Sequence, residues 1–151
     1  MKLIYRVQYI HKLFAAAFHF SGQNMGARSI PSSFPVPANM TVNIINQWYN
    51  EHQFAVQSDI DNLTRTRNGS NSIGLFLVMV SERNTQVGCA ISNYMNAGNH
   101  IGLLVCNYAS SNVMGSIVYR GGAIGSGCTL GRDPTYTGLC RTYEPILPNM
   151  F

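Results

Sequence analysis

The hydrophobic positions of this chain change character along its length. Residues 73–80 form an unbroken apolar run, Ile-Gly-Leu-Phe-Leu-Val-Met-Val. Periodicity leaves a buried helix and a buried strand both open for such a run. After it, residues 86–94 and 100–108 read as two antiparallel strands around a turn near Ala97 and Gly98. On the second strand Leu104 and Cys106 share one face, and Leu103 and Val105 share the other. Both faces are apolar, which predicts a sheet covered on both sides.

The N-terminal half is less regular. Residues 2–20 read as a partly apolar helix, broken by Ser21-Gly22-Gln23-Asn24. Pro31, Pro35 and Pro37 make residues 30–38 an extended linker. Thr41 is placed to cap a helix over residues 42–57, where Ile44, Ile45, Trp48 and Tyr49 recur at spacings of three and four. Residues 58–72 are polar and predict a long surface loop that turns at Asn68-Gly69. Residues 116–120 suggest a short strand, and the chain after Gly121 is irregular. The expected organisation is an atypical segment over 1–17, a domain over 18–120 and a tail over 121–151 closed by a disulfide.

Four cysteines allow three pairings. Numbered from the hairpin tip, Cys89 falls opposite Cys106. Directly opposed residues on antiparallel strands place Cβ atoms about 4.5–5.5 Å apart, near bridging range. That choice leaves Cys128–Cys140, which closes a loop rich in Gly, Pro and Thr. Four buried free thiols are the competing reading. No pair has the C-x-x-C spacing of a zinc or redox site.

Disulfides imply an oxidising compartment, hence secretion. Only 11% of residues are charged, against about 25% in an average domain, which fits an extracellular surface. The sequons at Asn39, Asn62 and Asn68 fit as well. A chain this rich in Asn, Ser and Thr produces such triplets by chance, so they add little. The net charge is +4, yet the arginines are scattered. Nucleic-acid binding needs a clustered footprint and is excluded. No run approaches the roughly 18–20 apolar residues of a membrane span. Met1–Tyr5 begins as a secretion signal would, but Arg6, His11 and Lys12 interrupt the apolar core. No recognisable signal peptide is therefore expected in the chain.

Candidate chemistry is sparse. Glu51-His52 could supply a metal ligand or general base, or could be a solvated helix end, which is the reading favoured. His11, His19 and His100 have no partner nearby in sequence. Asp59-Ile60-Asp61-Asn62 starts like a calcium loop, but its sixth position is Thr64 and its twelfth is Ser70, where glycine and glutamate belong. No nucleophile elbow or phosphate-binding glycine loop occurs.

Taken together, the motifs resemble the CAP superfamily of cysteine-rich secretory, antigen-five and pathogenesis-related proteins, and most of all its insect antigen-five-related group. The matching pieces are Phe20-Ser21-Gly22-Gln23-Asn24, Trp48-Tyr49-Asn50-Glu51, Ile73-Gly74-Leu75-Phe76 and Val87-Gly88-Cys89-Ala90. Leu104-Val105-Cys106-Asn107-Tyr108-Ala109, Val118-Tyr119, Cys128-Thr129-Leu130-Gly131 and Leu139-Cys140 continue them in order. The resemblance implies an α+β protein with a three-layer α-β-α sandwich, secreted, with a cleft where two histidines and two acidic residues hold a divalent cation. Transferred to this sequence, the first acidic position is Gln23, the second is Glu51, and the second histidine is Leu75. The threonine usual two places later is Leu77, and the first histidine has no counterpart in residues 1–17. A leucine offers no lone pair, and catalytic zinc normally has three protein ligands.

The expected function is therefore non-catalytic: a secreted, monomeric CAP-like domain without metal or cofactor. It would bind an unidentified protein, or a lipid or sterol in a cleft lined by Gln23, Glu51, Leu75 and Leu77. One alternative is a metal-dependent hydrolase rearranged around Glu51 and His52. The other is a truncated paralogue without function, since the family carries a further segment before Phe18 and the sandwich would be incomplete at its N-terminus.

Overall fold

The computed structural model describes residues 21–30 and 38–146. The helix expected over residues 2–20 lies outside them, as does most of the linker expected over 30–38. Strand β1 (Gly22–Ile30) is followed by helix α1 (Ala38–Asn50), a single 3-10 turn (Glu51–Phe54) and the short helix α2 (Gln57–Asp61). A two-residue-per-strand hairpin, β2 (Arg67–Asn68) and β3 (Asn71–Ser72), leads into helix α3 (Gly74–Val80). Strands β4 (Val87–Asn96) and β5 (Asn99–Tyr108) complete the elements.

The main sheet has the order β1-β5-β4, and both pairings are antiparallel. The β4–β5 hairpin turns at Ala97 and Gly98, with φ of 47° and 80°. Two successive left-handed residues match the right-handed twist of the flanking strands. The register sets Cys89 opposite Cys106, and the two are joined by a disulfide across a Cα–Cα distance of 4.1 Å. Cys128 and Cys140 form the second disulfide.

Helix α1 begins at Ala38, so Thr41 lies inside it and does not cap it. The helix ends at Asn50, short of the expected residue 57. Met40, Ile44 and Trp48, spaced by four, pack on the sheet beside Ile30, Leu104, Cys106 and Tyr108. Gly26 and Gly102 permit this approach. A Cβ on Gly26 would strike Ile44 and lie 3.3 Å from Nε1 of Trp48, and one on Gly102 would strike Met40. Tyr49, grouped with the apolar face by spacing, is half exposed.

Residues 58–72 are not a solvated loop. Ile60 and Leu63 enter a second core with Ile73, Phe76, Leu77 and Val118. Asp59 is 2% exposed and accepts hydrogen bonds from Arg65 (Nε 2.8 Å, Nη2 3.1 Å) and from the Val56 N–H at 3.0 Å. The polar residues satisfy one another, which is why a segment with so few hydrophobic positions folds inward. The turn at Asn68-Gly69 is where it was expected.

The apolar run over 73–80 is helix α3. It sends Phe76 and Leu77 into the second core and Val78 into the first, so a helix between two cores is apolar on nearly all sides. Residues 116–120 form no strand. Val118 donates its N–H to the Ile60 carbonyl and accepts from the Glu82 N–H, a single anchored residue without a ladder. The consecutive residues Leu104 to Tyr108 of the central strand β5 are buried, so both faces are covered there, whereas Val87, Ile91, Tyr94 and Met95 of the edge strand β4 are exposed. The hydrogen bonds of residues 121–146, among the described residues, all end within that tail.

Candidate functional site

A cleft of about 250 Å³ opens where β1, the β2–β3 hairpin, the start of α3 and the turn after β5 meet. Gln23 and Asn24 come from β1, Thr66, Arg67 and Ser72 from the hairpin, Gly74, Leu75 and Val78 from α3, and Ser111 and Asn112 from the turn. The family resemblance singled out Gln23 and Leu75, and both line this cleft. Leu77 does not. It is fully buried in the second core, because the helical turn carries it to the opposite side from Leu75.

The polar side chains are held by short local bonds. Gln23 sits directly opposite Asn107 in the β1–β5 register and donates from Nε2 to Asn107 Oδ1 at 2.7 Å. Asn24 is 0% exposed. Its Nδ2 donates to the Leu75 carbonyl at 3.0 Å and approaches the Tyr108 hydroxyl at 3.4 Å. Burial pushes the Tyr108 phenol up, against a smaller opposing effect of the Asn24 amide. Asn112 Nδ2 donates to the Gly74 carbonyl at 2.9 Å.

Glu51 is not on the cleft wall. Its Oε2 accepts hydrogen bonds from the backbone N–H groups of Leu75 (2.8 Å) and Phe76 (3.1 Å). These are donors that a helix start leaves unpaired. His52 turns the other way: Nδ1 contacts the Tyr49 carbonyl at 2.8 Å, and its ring lies 4.8 Å from Tyr49 and 6.0 Å from Phe76. The adjacent Glu51 and His52 therefore do not converge on one point. His100 is half-buried at the far end of β5, opposite Ile30, and His11 and His19 lie outside the described residues.

The donor set does not fit the divalent cation that the sequence resemblance implies. Gln23 offers an amide already bonded to Asn107, Leu75 offers nothing, and one Glu51 oxygen is occupied by backbone. No group of three His, Cys, Asp or Glu side chains that could hold a metal is found among the described residues. Asn24, Thr66, Arg67, Ser72 and Asn112 escaped notice in the sequence. Thr66, Arg67 and Ser72 flank the Asn68-Gly69 turn that was visible there, but polar residues beside a turn read as solvated.

The profile of the cysteine-rich secretory protein family, CAP, matches residues 9–108. The chain belongs to the CAP family. Venom allergen-1 of Aedes aegypti is 33% identical over 129 residues, covering 85% of this chain and 50% of that protein. Tabinhibitin 1 of Tabanus yao is 37% identical over 91 residues, covering 60% of this chain and 35% of that protein. This CAP chain thus spans about half the length of the venom allergen it matches. Its antigen-five, venom-allergen-like character follows from these relatives. Among solved structures, BmVAL-1 superposes with a TM-score of 0.65 at 22% identity, over 82% of this chain and 62% of that one. Na-ASP-1 gives 0.63 at 26%, over 80% and 30%. The fold is the mixed α/β CAP-type sandwich.

Proposed function

We propose that this CAP chain is an extracellular binding module that works through the cleft beside Gln23 and Leu75, without hydrolytic chemistry. The observation that carries this reading is the position of Leu75. The resemblance sets Leu75 at the family's histidine position, and Leu75 lines the cleft, while the neighbouring carboxylate of Glu51 is bonded to the backbone of α3. A wall with a leucine there can contact a ligand but cannot coordinate an ion.

The wall also bears on the ligand. Seven of its ten residues are polar, and its 250 Å³ lies below the roughly 300 Å³ at which cavities for drug-sized ligands begin. Both facts favour a small polar ligand over a sterol or a long acyl chain. Two disulfides support an oxidising, extracellular setting. Of the three sequons, Asn39 and Asn62 are exposed, whereas the Asn68 amide nitrogen already donates to the Phe54 carbonyl at 2.8 Å. Asn39 and Asn62 are thus better placed than Asn68 for glycosylation.

Elemental analysis after dialysis tests the reading. We expect substoichiometric zinc. Stoichiometric zinc that disappears in Glu51→Ala would overturn the reading in favour of a metal site at Glu51. Saturable binding of a fluorescent sterol or fatty acid would replace the polar ligand with a lipid.

A further inference from the structure

We propose that the cleft selects a small organic anion that also carries an N–H or O–H donor, with its anionic group on Arg67 and its donor on Asn24. This rests on the reading of the chain as a cleft-binding module and names the ligand class for it.

Asn24 carries the first half. The Leu75 carbonyl can only accept, so the Asn24 nitrogen must face it, and this fixes which end of the amide is which. The Oδ1 atom is then left buried with no hydrogen-bond partner. Buried polar atoms are nearly always paired, and an orphaned acceptor is costly. Asn24 is among the residues that line the cleft, and a ligand bound there would supply the missing donor once it reaches the enclosed Oδ1.

Arg67 carries the second half. It is exposed on β2 at the cleft wall, and its Nη1 reaches only the Ser70 carbonyl, at 3.5 Å. Arg65 and Arg120 have carboxylate partners, at Asp59 and Glu82. Among the described residues Arg67 has none within ion-pair distance. No acidic side chain lines the cleft either. Glu51, behind Leu75, presents one oxygen to two backbone N–H groups that offset its charge. Thr66, Ser72 and Ser111 contribute neutral hydroxyls. A guanidinium fork without a partner, in a neutral wall, is suited to a carboxylate or similar oxyanion.

The test is a titration of isotope-labelled protein, followed by amide chemical shifts. Four probes are used: N-acetylglycine, with a carboxylate and an N–H; N-acetylsarcosine, with the carboxylate alone; N-acetylglycine methyl ester, with the N–H alone; and decanoate. We expect N-acetylglycine to shift the Gln23, Leu75 and Asn112 amides saturably. N-acetylsarcosine and the ester should each bind about tenfold more weakly, the loss of one good hydrogen bond or charge pair. Arg67→Gln, at an exposed site, should weaken N-acetylglycine by about the same factor and leave the ester unchanged. Equal binding of acid and ester, or an Arg67→Gln protein that binds the acid like wild type, would overturn the anion. Equal binding of N-acetylglycine and N-acetylsarcosine would overturn the donor. Cleft binding by the ester or decanoate alone would remove the ligand class and leave the binding module standing. No shift with any of the four would remove both.

Discussion

Gln23 and Asn107 face each other across β1 and β5, and the amide of one donates to the amide of the other at 2.7 Å. The residue that the resemblance sets at a metal position is here half of a cross-strand clasp. Asn107 is 2% exposed, so its Oδ1 depends on that donor. Gln23→Leu should lower stability by about 1–3 kcal/mol, because it leaves a buried acceptor unsatisfied. Urea unfolding monitored by fluorescence of Trp48 gives the value.

Glu51 should prove structural. Glu51→Ala removes the acceptor for two N–H groups at the start of α3, and loss of such a cap costs about 0.5–2 kcal/mol. Glu51→Gln keeps one acceptor oxygen and should lose less. Neither variant should change metal content. A change in bound zinc with no change in unfolding midpoint would contradict the structural role.

Acid should act through Asp59. Its hydrogen bonds from Arg65 lower its pKa against the opposing effect of burial, helped by the Val56 N–H and by the Arg65 charge. The folded value lies below the unfolded value of about 3.9. The unfolded chain therefore binds the proton first, and stability falls as pH drops through that value toward the folded one. Above about pH 5 the contribution is fully present. Denaturation midpoints between pH 6 and 3 should fall for the wild type, and Asp59→Asn should flatten that slope.

The approach of α1 to the sheet depends on Gly26. A Cβ there meets Ile44, which is fully buried and has nowhere to move. Gly26→Ala should cost about 1–3 kcal/mol by overpacking. Thermal unfolding of this variant beside Gly88→Ala, where a Cβ meets nothing within 4 Å, isolates the steric effect from the change in chain entropy.

The tail should come apart on its own. Replacing Cys128 and Cys140 by serine opens a loop whose ends are 12 residues apart, and closure of a loop near this size constrains the chain by about 3 kcal/mol. Trypsin should then cut rapidly at Arg132 and Arg141 and leave the β1–β5–β4 sheet intact. Equal loss of the sheet would show that the two parts fold as one.

The parts of the fold legible in the sequence are those written in hydrophobic spacing and cysteine position. The β4–β5 hairpin, its turn and the facing cysteines could be read, and so could the apolar stripe of α1 at Ile44 and Trp48. Strand β1 could not, because its alternating buried positions include Gly22 and Asn24, which do not register as hydrophobic. The second core was hidden because Asp59 enters it as a charge already paired with Arg65. For the cleft, the resemblance located Gln23 and Leu75 but misjudged Leu77, whose place depended on whether residues 73–80 were helix or strand. Asn24 and Arg67 were invisible because their significance lies in partners they lack, and a linear sequence does not record missing partners.

A tail whose hydrogen bonds all close on themselves is free to vary. Residues between Gly121 and Ile146 can be exchanged for others, so long as the two sulfurs still meet, without the sandwich registering the change. New surfaces can be tried there while the sheet and the helices packed on it keep their shape.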